Sequence, residues 1–196
     1  MLQKEQLEEL YSSGLSMQEI ALRFGCSGNK IKYWMVEHDI ERRSISEAVY
    51  AKSNPNGDPF KIKELQGIED LKLFYTAIGL YLGEGDKKSR HHVKMANTNP
   101  YILRIFLKFL REICDVNELK IGAELNIFND VDLKKAINFW ISEVGIRREQ
   151  LRTITVRESR GGSYKNKSEY GTLSIYFSNI KLKKIIIDWC EKAIIV

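Results

Sequence analysis

The apolar positions of this chain change their spacing several times, and each change marks an element. Residues 6–11 follow a helical spacing that stops at Gly14. Ser16, with Glu19 three residues later, forms a capping box, in which each side chain satisfies the other's orphan backbone donor. Ile20, Ala21 and Phe24 then make the apolar face of a second short helix. Gly25-Cys26-Ser27 is a tight turn, and Ser27 is a good cap for a third helix. That helix turns Ile31, Trp34 and Met35 inward and leaves Asn29, Lys30, Lys32 and Tyr33 outward. The first 45 residues thus predict three short helices, the last of them basic.

Residues 53–59 hold two of the three prolines and a glycine, which predicts an interdomain linker. The expected division is a helical domain over 1–50, a linker over 51–65 and a second domain over 66–196. In the second domain helical and alternating spacings interleave, so the fold class is α+β. An apolar helix runs to Glu84, and a short hairpin is expected over 86–96. Pro100 opens a strong helix to 113, because proline is tolerated at the first helical position. Residues 118–127 alternate, with Ile121, Ala123, Leu125 and Ile127 on one side and Lys120, Glu124 and Asn126 on the other. A helix over 131–144 follows. Residues 151–158 and 172–178 alternate as strands joined by a polar, glycine-rich turn, and a last helix starts beside Asn179 with Leu182, Ile185, Ile186 and Trp189 inward.

Composition adds a partner to this outline. Lysine and arginine exceed aspartate and glutamate by 31 to 26, giving a net charge of +5. Such an excess favours an anionic partner, of which nucleic acid is the commonest. No apolar run approaches the roughly 18 residues of a membrane span. The charged, amphipathic start of the chain does not read as a signal peptide. Cys26, Cys114 and Cys190 are far apart and odd in number, with neither zinc nor disulfide spacing. A reducing cytoplasm is the expected setting.

The string AIGLYLGEGD at 77–86 carries the candidate chemistry. Each glycine costs about 1 kcal/mol in a helix relative to alanine. Gly79 and Gly83, four residues apart, share one face, so another helix is expected to approach there. Glu84 falls where the helix ends, a place unfavourable to a carboxylate unless a cation lies near. A metal ion, or Lys87, Lys88 and Arg90, would meet that need.

The string resembles the motif of the LAGLIDADG homing endonucleases. Residues 17–34 resemble the helix-turn-helix of resolvases and bacterial regulators. The first resemblance implies paired motif helices whose terminal carboxylates hold metal ions over DNA. Residues 77–84 also align with 136–143, sharing alanine, isoleucine and glutamate. Together these imply a LAGLIDADG-like domain with a pseudo-two-fold helix-strand-strand-helix repeat. Gly79 and Gly83 would face Asn138 and Ser142. Glu84 and Glu143 would be the catalytic, Mg2+-binding carboxylates of a monomer. Without a true repeat, the chain would be a homodimer pairing Glu84 with its own copy. The helix-turn-helix resemblance implies that Asn29, Lys30, Lys32 and Tyr33 meet base edges. Arg42 and Arg43 would form a minor-groove arm.

A strand surface for DNA should turn polar residues to the groove. Thr153, Thr155 and Arg157 alternate with Ile154 and Val156, Ser174 and Tyr176 with Leu173 and Ile175, and His92 and Lys94 with Val93 and Met95. Neighbouring His91 and His92 point to opposite faces and make no paired metal site. Lys87, Lys88 and Arg90, with Arg160, Lys165 and Lys167 of the glycine-rich turn, suit phosphate contacts. The expected function is double-stranded DNA binding, with metal-dependent cleavage as the activity. The alternative is a sequence-specific transcription regulator on the same fold without cleavage.

Overall fold

The computed structural model describes residues 3–158 and 168–194. The chain divides into two compact units, Met1–Pro59 and Phe60–Val196.

The first unit is helical: α1 (Lys4–Ser12), α2 (Met17–Arg23), α3 (Gly28–Glu37) and α4 (Ile45–Ser53). Leu7, Ile20, Ala21, Ile31 and Met35 form its core, with Leu10, Phe24, Trp34 and Ile40 packed around them. The Ser16–Glu19 capping box is formed, and the Ser27 hydroxyl accepts from the Lys30 N–H at the start of α3. α4 was not among the expected helices. It too begins with a capping box, Ser44 and Glu47, yet buries none of its residues. The signal lay in the Ser-x-x-Glu spacing, which the absence of an apolar face concealed.

The second unit runs α5 (Gly67–Glu84), β1 (His92–Asn97), α6 (Pro100–Glu112), β2 (Ile121–Phe128), α7 (Leu133–Val144), β3 (Leu151–Arg157), β4 (Thr172–Ser178) and α8 (Ile180–Ile194). The sheet order is β1-β4-β2-β3. β4 is antiparallel to both β1 and β2, while β3 lies parallel to β2. Helix α7 provides the crossover that a parallel pair requires. β3 and β4, expected as strands joined by a glycine-rich turn, are not neighbours in the sheet, because β2 lies between them. The hairpin over 86–96 is reduced to β1 and a single bridge from Gly85 to Met95.

One face of the sheet is apolar. Val93, Met95, Ile121, Ala123, Leu125, Leu173, Ile175 and Phe177 are buried in a core shared with Tyr81, Phe106, Phe109, Trp140 and Ile186. Burial of each large side chain contributes about 1.5–3 kcal/mol, so this layer dominates the unit's stability. Phe60, Ile62 and Leu65 also pack on this core, and Lys61 and Lys63 donate backbone hydrogen bonds to Cys114 and Ile113 at 3.0 and 2.9 Å. The second unit thus starts within the stretch read as linker. Among the described residues no helix is long and apolar enough to cross a membrane.

The expected internal pairing of motif helices is not formed. α5 packs against α6 and α8, and α7 packs against α6. A Cβ built at Gly79 or Gly83 meets nothing within 4 Å, and both glycines are exposed. Asn138 and Ser142 therefore do not face them. The alignment of 77–84 with 136–143 reflects shared amphipathic spacing, and the two helices hold different places in one sheet-and-helix layer pair.

A polar clamp ties the ends of α6, β2 and β3. Arg111 donates to both oxygens of Glu118 at 2.9 and 2.6 Å, and the Gln150 amide donates to Glu118 at 2.9 Å. The Arg111 bonds pull the Glu118 carboxyl below its ordinary range, against the opposing effect of burial. A carboxyl depressed in the folded state stabilises above its unfolded pKa, about 4.3, and loses that contribution as pH falls through the folded value. Glu118→Gln should therefore be less stable than the wild type at pH 7, and the wild type should lose its advantage as pH falls below about 4, its stability dropping more steeply there than the variant's. Chemical denaturation across this range checks both.

Candidate nucleic-acid interface

α3 presents its outward face without cover from its own unit. Asn29, Lys30, Lys32 and Tyr33 are all exposed, and Val36 is 71% exposed on the same helix. Tyr33 lies edge-on to Trp34, with centroids 5.3 Å apart. A hydrogen bond with Glu37 pushes its hydroxyl pKa up from the ordinary tyrosine value.

Arg43 does not extend as an arm. Its guanidinium donates to the Gly14 and Leu15 carbonyls at 3.2 and 2.9 Å and to the Tyr11 carbonyl. It stacks 4.0 Å from the Tyr11 ring centroid, and its backbone N–H donates to the Tyr11 hydroxyl at 3.0 Å. The Tyr11 carbonyl belongs to the last turn of α1, where helices leave acceptors unsatisfied, and Gly14 and Leu15 lie in the turn that follows. Arg43 closes that end, while its neighbour Arg42 is exposed.

In the second unit the other face of the sheet is uncovered by helices. Pairing register fixes its membership, since in-register partners share a face. One row joins Lys94, Tyr176 and Gly122, and the next joins Ala96, Ser174, Glu124 and Thr153. Beyond them lie Thr172, Asn126 and Thr155, then Phe128 and Arg157. His92 pairs with Ser178 at the other end, their side chains 2.8 Å apart. The alternation read from β1, β3 and β4 therefore converges on one surface, rich in hydroxyls. Lys94 is partly used within it: it forms an ion pair with Glu124 and lies 5.9 Å from the Tyr176 ring centroid. His91 is exposed, as is His92.

Gly122 explains how Tyr176 lies in this face. A Cβ at 122 would sit 2.5 Å from the Tyr176 hydroxyl oxygen, with ring carbons also inside contact distance. The ring lies flat across the glycine, the one residue that leaves room.

The mouth of α5 adjoins β1. Glu84 is exposed at the last turn. Lys87 donates to the Leu82 carbonyl, so the cation expected at this helix end is present. The Asp86 carboxylate accepts from the Lys88 and Ser89 backbone N–H groups at 2.8 and 3.2 Å. Burial raises its pKa, but these bonds and the nearby Lys183 and Lys94 outweigh it and the net shift is downward. Lys88 and Arg90 are exposed. Glu143 is half-buried near the end of α7, on a helix that does not pack against α5. Arg160, Lys165 and Lys167 lie outside the described residues.

Magnesium is satisfied by one or two carboxylates, with waters and phosphate oxygens completing its shell. Among the described residues no group of three or more His, Cys, Asp or Glu is placed to hold a metal. The chain offers Glu84 at this mouth, while Asp86 is engaged in capping its own turn. This donor set fits an ion shared with phosphate or with a second carboxylate.

Two residues escaped sequence reasoning. Tyr81 was hidden as one more apolar position of α5, and Lys183 looked like one of several surface lysines near the start of α8. Only the register of Lys183 with buried Leu182 and Ile186 pointed inward, and that signal was weak. The chain matches no family model, no curated protein and no solved structure.

The fit of Tyr176 over Gly122 gives a stability prediction. Gly122→Ala should destabilise the second unit by about 1–3 kcal/mol, the usual penalty for overpacking. Removing the ring should remove the clash, so Gly122→Ala should cost much less in a Tyr176→Ala background. Thermal melts of the four chains measure that coupling, and strict additivity would show that the ring does not occupy this place.

Proposed function

We propose that the chain is a double-stranded DNA-binding protein, in which α3 acts as the recognition helix of a helix-turn-helix and the open sheet face of a LAGLIDADG-like unit grips the duplex. The open face carries this reading. Hydroxyl and amide groups from β2, β3 and β4, with His92 and Lys94 of β1, share one face of the sheet on a basic chain, while the opposite face supplies the core. Groups of this kind hydrogen-bond base edges and phosphates alike. Lys87, Lys88, Arg90 and Arg157 border that surface in sequence or register and supply phosphate contacts.

In this reading two chains pair through α5. Tyr75, Gly79 and Gly83 recur at helical spacing on its exposed side, and neither glycine serves any packing among the described residues. Pairing there would let two α5 backbones approach closely and bring each Glu84 beside its copy. Glu84 from each chain would then hold Mg2+ against the scissile phosphate. A bound divalent ion supplies Lewis-acid stabilisation and a more acidic water. Glu84 binds, Lys87 and Lys88 offset phosphate charge, and the sheet face orients the duplex.

The regulator without cleavage is the second reading. It is favoured by the self-sufficiency of the α5 mouth, where Lys87 and the Asp86 turn satisfy the helix end without a metal.

Selection from a random duplex library, scored for binding and for cuts with Mg2+, separates the two readings. The expected result is a preferred site that is cut, with cleavage lost and binding kept in Glu84→Gln. Replacing Asn29 or Tyr33 should cost about 1–3 kcal/mol at that site and little elsewhere. Binding without cuts, in Mg2+ or Mn2+, leaves the regulator. No DNA binding at all ends both.

The glycines test the pairing. Alanine is favoured over glycine by about 1 kcal/mol at a free helical position. Gly79→Ala with Gly83→Ala should therefore stabilise the isolated chain in thermal melts, yet weaken self-association in sedimentation. A chain that stays monomeric on and off DNA, with the double variant simply more stable, would remove the paired arrangement.

A further inference from the structure

Lys183 is only 4% exposed, on the face of α8 that carries the buried Leu182, Ile186 and Cys190. A buried ammonium is costly, and an apolar residue of similar volume is often neutral or stabilising in its place. The side chain is fully engaged at one spot. Its Nζ donates to the Tyr81 hydroxyl at 2.7 Å and to the Asp86 carbonyl. The Tyr81 hydroxyl in turn donates to that same carbonyl at 3.0 Å, and Nζ lies 5.1 Å from the Tyr81 ring centroid.

The peptide they hold is the one that leaves the motif helix. The Asp86 N–H donates to the Lys94 carbonyl of β1 at 2.8 Å. Its carboxylate caps Lys88 and Ser89, and its carbonyl is taken by Tyr81 and Lys183. One residue before it, Gly85 bridges to Met95, and a Cβ there would lie 2.5 Å from the Tyr81 carbonyl oxygen. The turn after Glu84 is therefore clamped on one side by β1 and on the other by an ammonium about a hundred residues away in sequence.

We propose that Lys183 is the positioning residue of the Glu84 mouth, fixing the backbone from Glu84 to Lys88 so that the carboxylate and the two lysines meet a DNA phosphate in one set geometry. This rests on the reading that the α5 mouth meets DNA. Lys183 itself touches no phosphate, since its ammonium is consumed within the protein. Its charge adds to that of Lys87 at the negative end of α5, so it also favours the helix termination that leaves Glu84 exposed.

The test uses the full chain with Lys183→Met and Lys183→Arg. Amide exchange of Asp86, Lys88 and Ser89, followed by NMR, should quicken at least tenfold in Lys183→Met. Amides of α6, remote from the clamp, should keep their rates. Arginine, which restores a cationic donor, should bring the three amides back toward wild type. Mg2+-dependent cleavage at saturating DNA should fall at least tenfold in Lys183→Met, with DNA affinity within about threefold of wild type, and arginine should recover part of the rate. Should Lys183→Met fail to fold, Tyr81→Phe removes one arm of the clamp and should quicken the same three amides. Unchanged exchange at those amides overturns the proposal, as does quickened exchange with an unchanged cleavage rate. A wild-type chain that cuts no DNA removes the nuclease reading instead, and the exchange comparison with the arginine rescue still decides whether Lys183 sets the turn.

Discussion

Burial of one face of the four-stranded sheet under α5, α6 and α8 is the constraint on which the rest of the second unit depends. Strand side chains alternate, so committing Val93, Met95, Leu125, Ile175 and Phe177 to the core sends their neighbours to the other side. Those neighbours are Lys94, Tyr176, Glu124, Asn126 and Thr155, and the helices leave them uncovered. A surface fit for a polar ligand is thus a by-product of the packing that stabilises the fold. The parallel addition of β3 through α7 widens that surface by one strand and places Thr153, Thr155 and Arg157 on it.

The same packing brings the end of α5 to the edge of the sheet. Gly85 must pass close over Tyr81 to reach Met95, and only a residue without a side chain fits there. Lys87 from the loop and Lys183 from α8 then gather positive charge at the negative end of the helix dipole. An exposed glutamate at a helix terminus is tolerable because Lys87 bonds the Leu82 carbonyl of the last turn and Lys183 bonds the Asp86 carbonyl just beyond it. Among the described residues, the α5 face carrying Gly79 and Gly83 meets no side chain at either glycine.

The first unit solves a related problem by a different route. A four-helix unit of under 60 residues has little core to spare, and here five fully buried side chains anchor it. Arg43 supplements that core by closing the carbonyl end of α1 and stacking on Tyr11. An arginine that looked free beside Arg42 is thereby structural. The two adjacent residues differ in role because one lies against the α1 turn and the other points to water.

Helix caps, proline positions and the alternation of β1, β2 and β4 were legible along the chain, because each rests on interactions within a few residues. Ser16 with Glu19, Asn99 before Pro100, and the apolar faces of α6 and α8 are local in this sense, and the class α+β followed from them. Sheet order was not legible. Strands β3 and β4 are consecutive in sequence, but β2 pairs with both, and nothing local to 151–178 records that. The apparent repeat of α5 in α7 misled for the same reason: amphipathic spacing states that a helix has a buried face, not which helix it meets. Of the candidate site, the exposed side of α3, Glu84 and the polar strand positions could be named from sequence. The docking of Arg43 against the α1 turn and the arrival of Lys183 beside Asp86 depend on contacts between residues roughly 30 and 100 positions apart, which only the folded chain brings together.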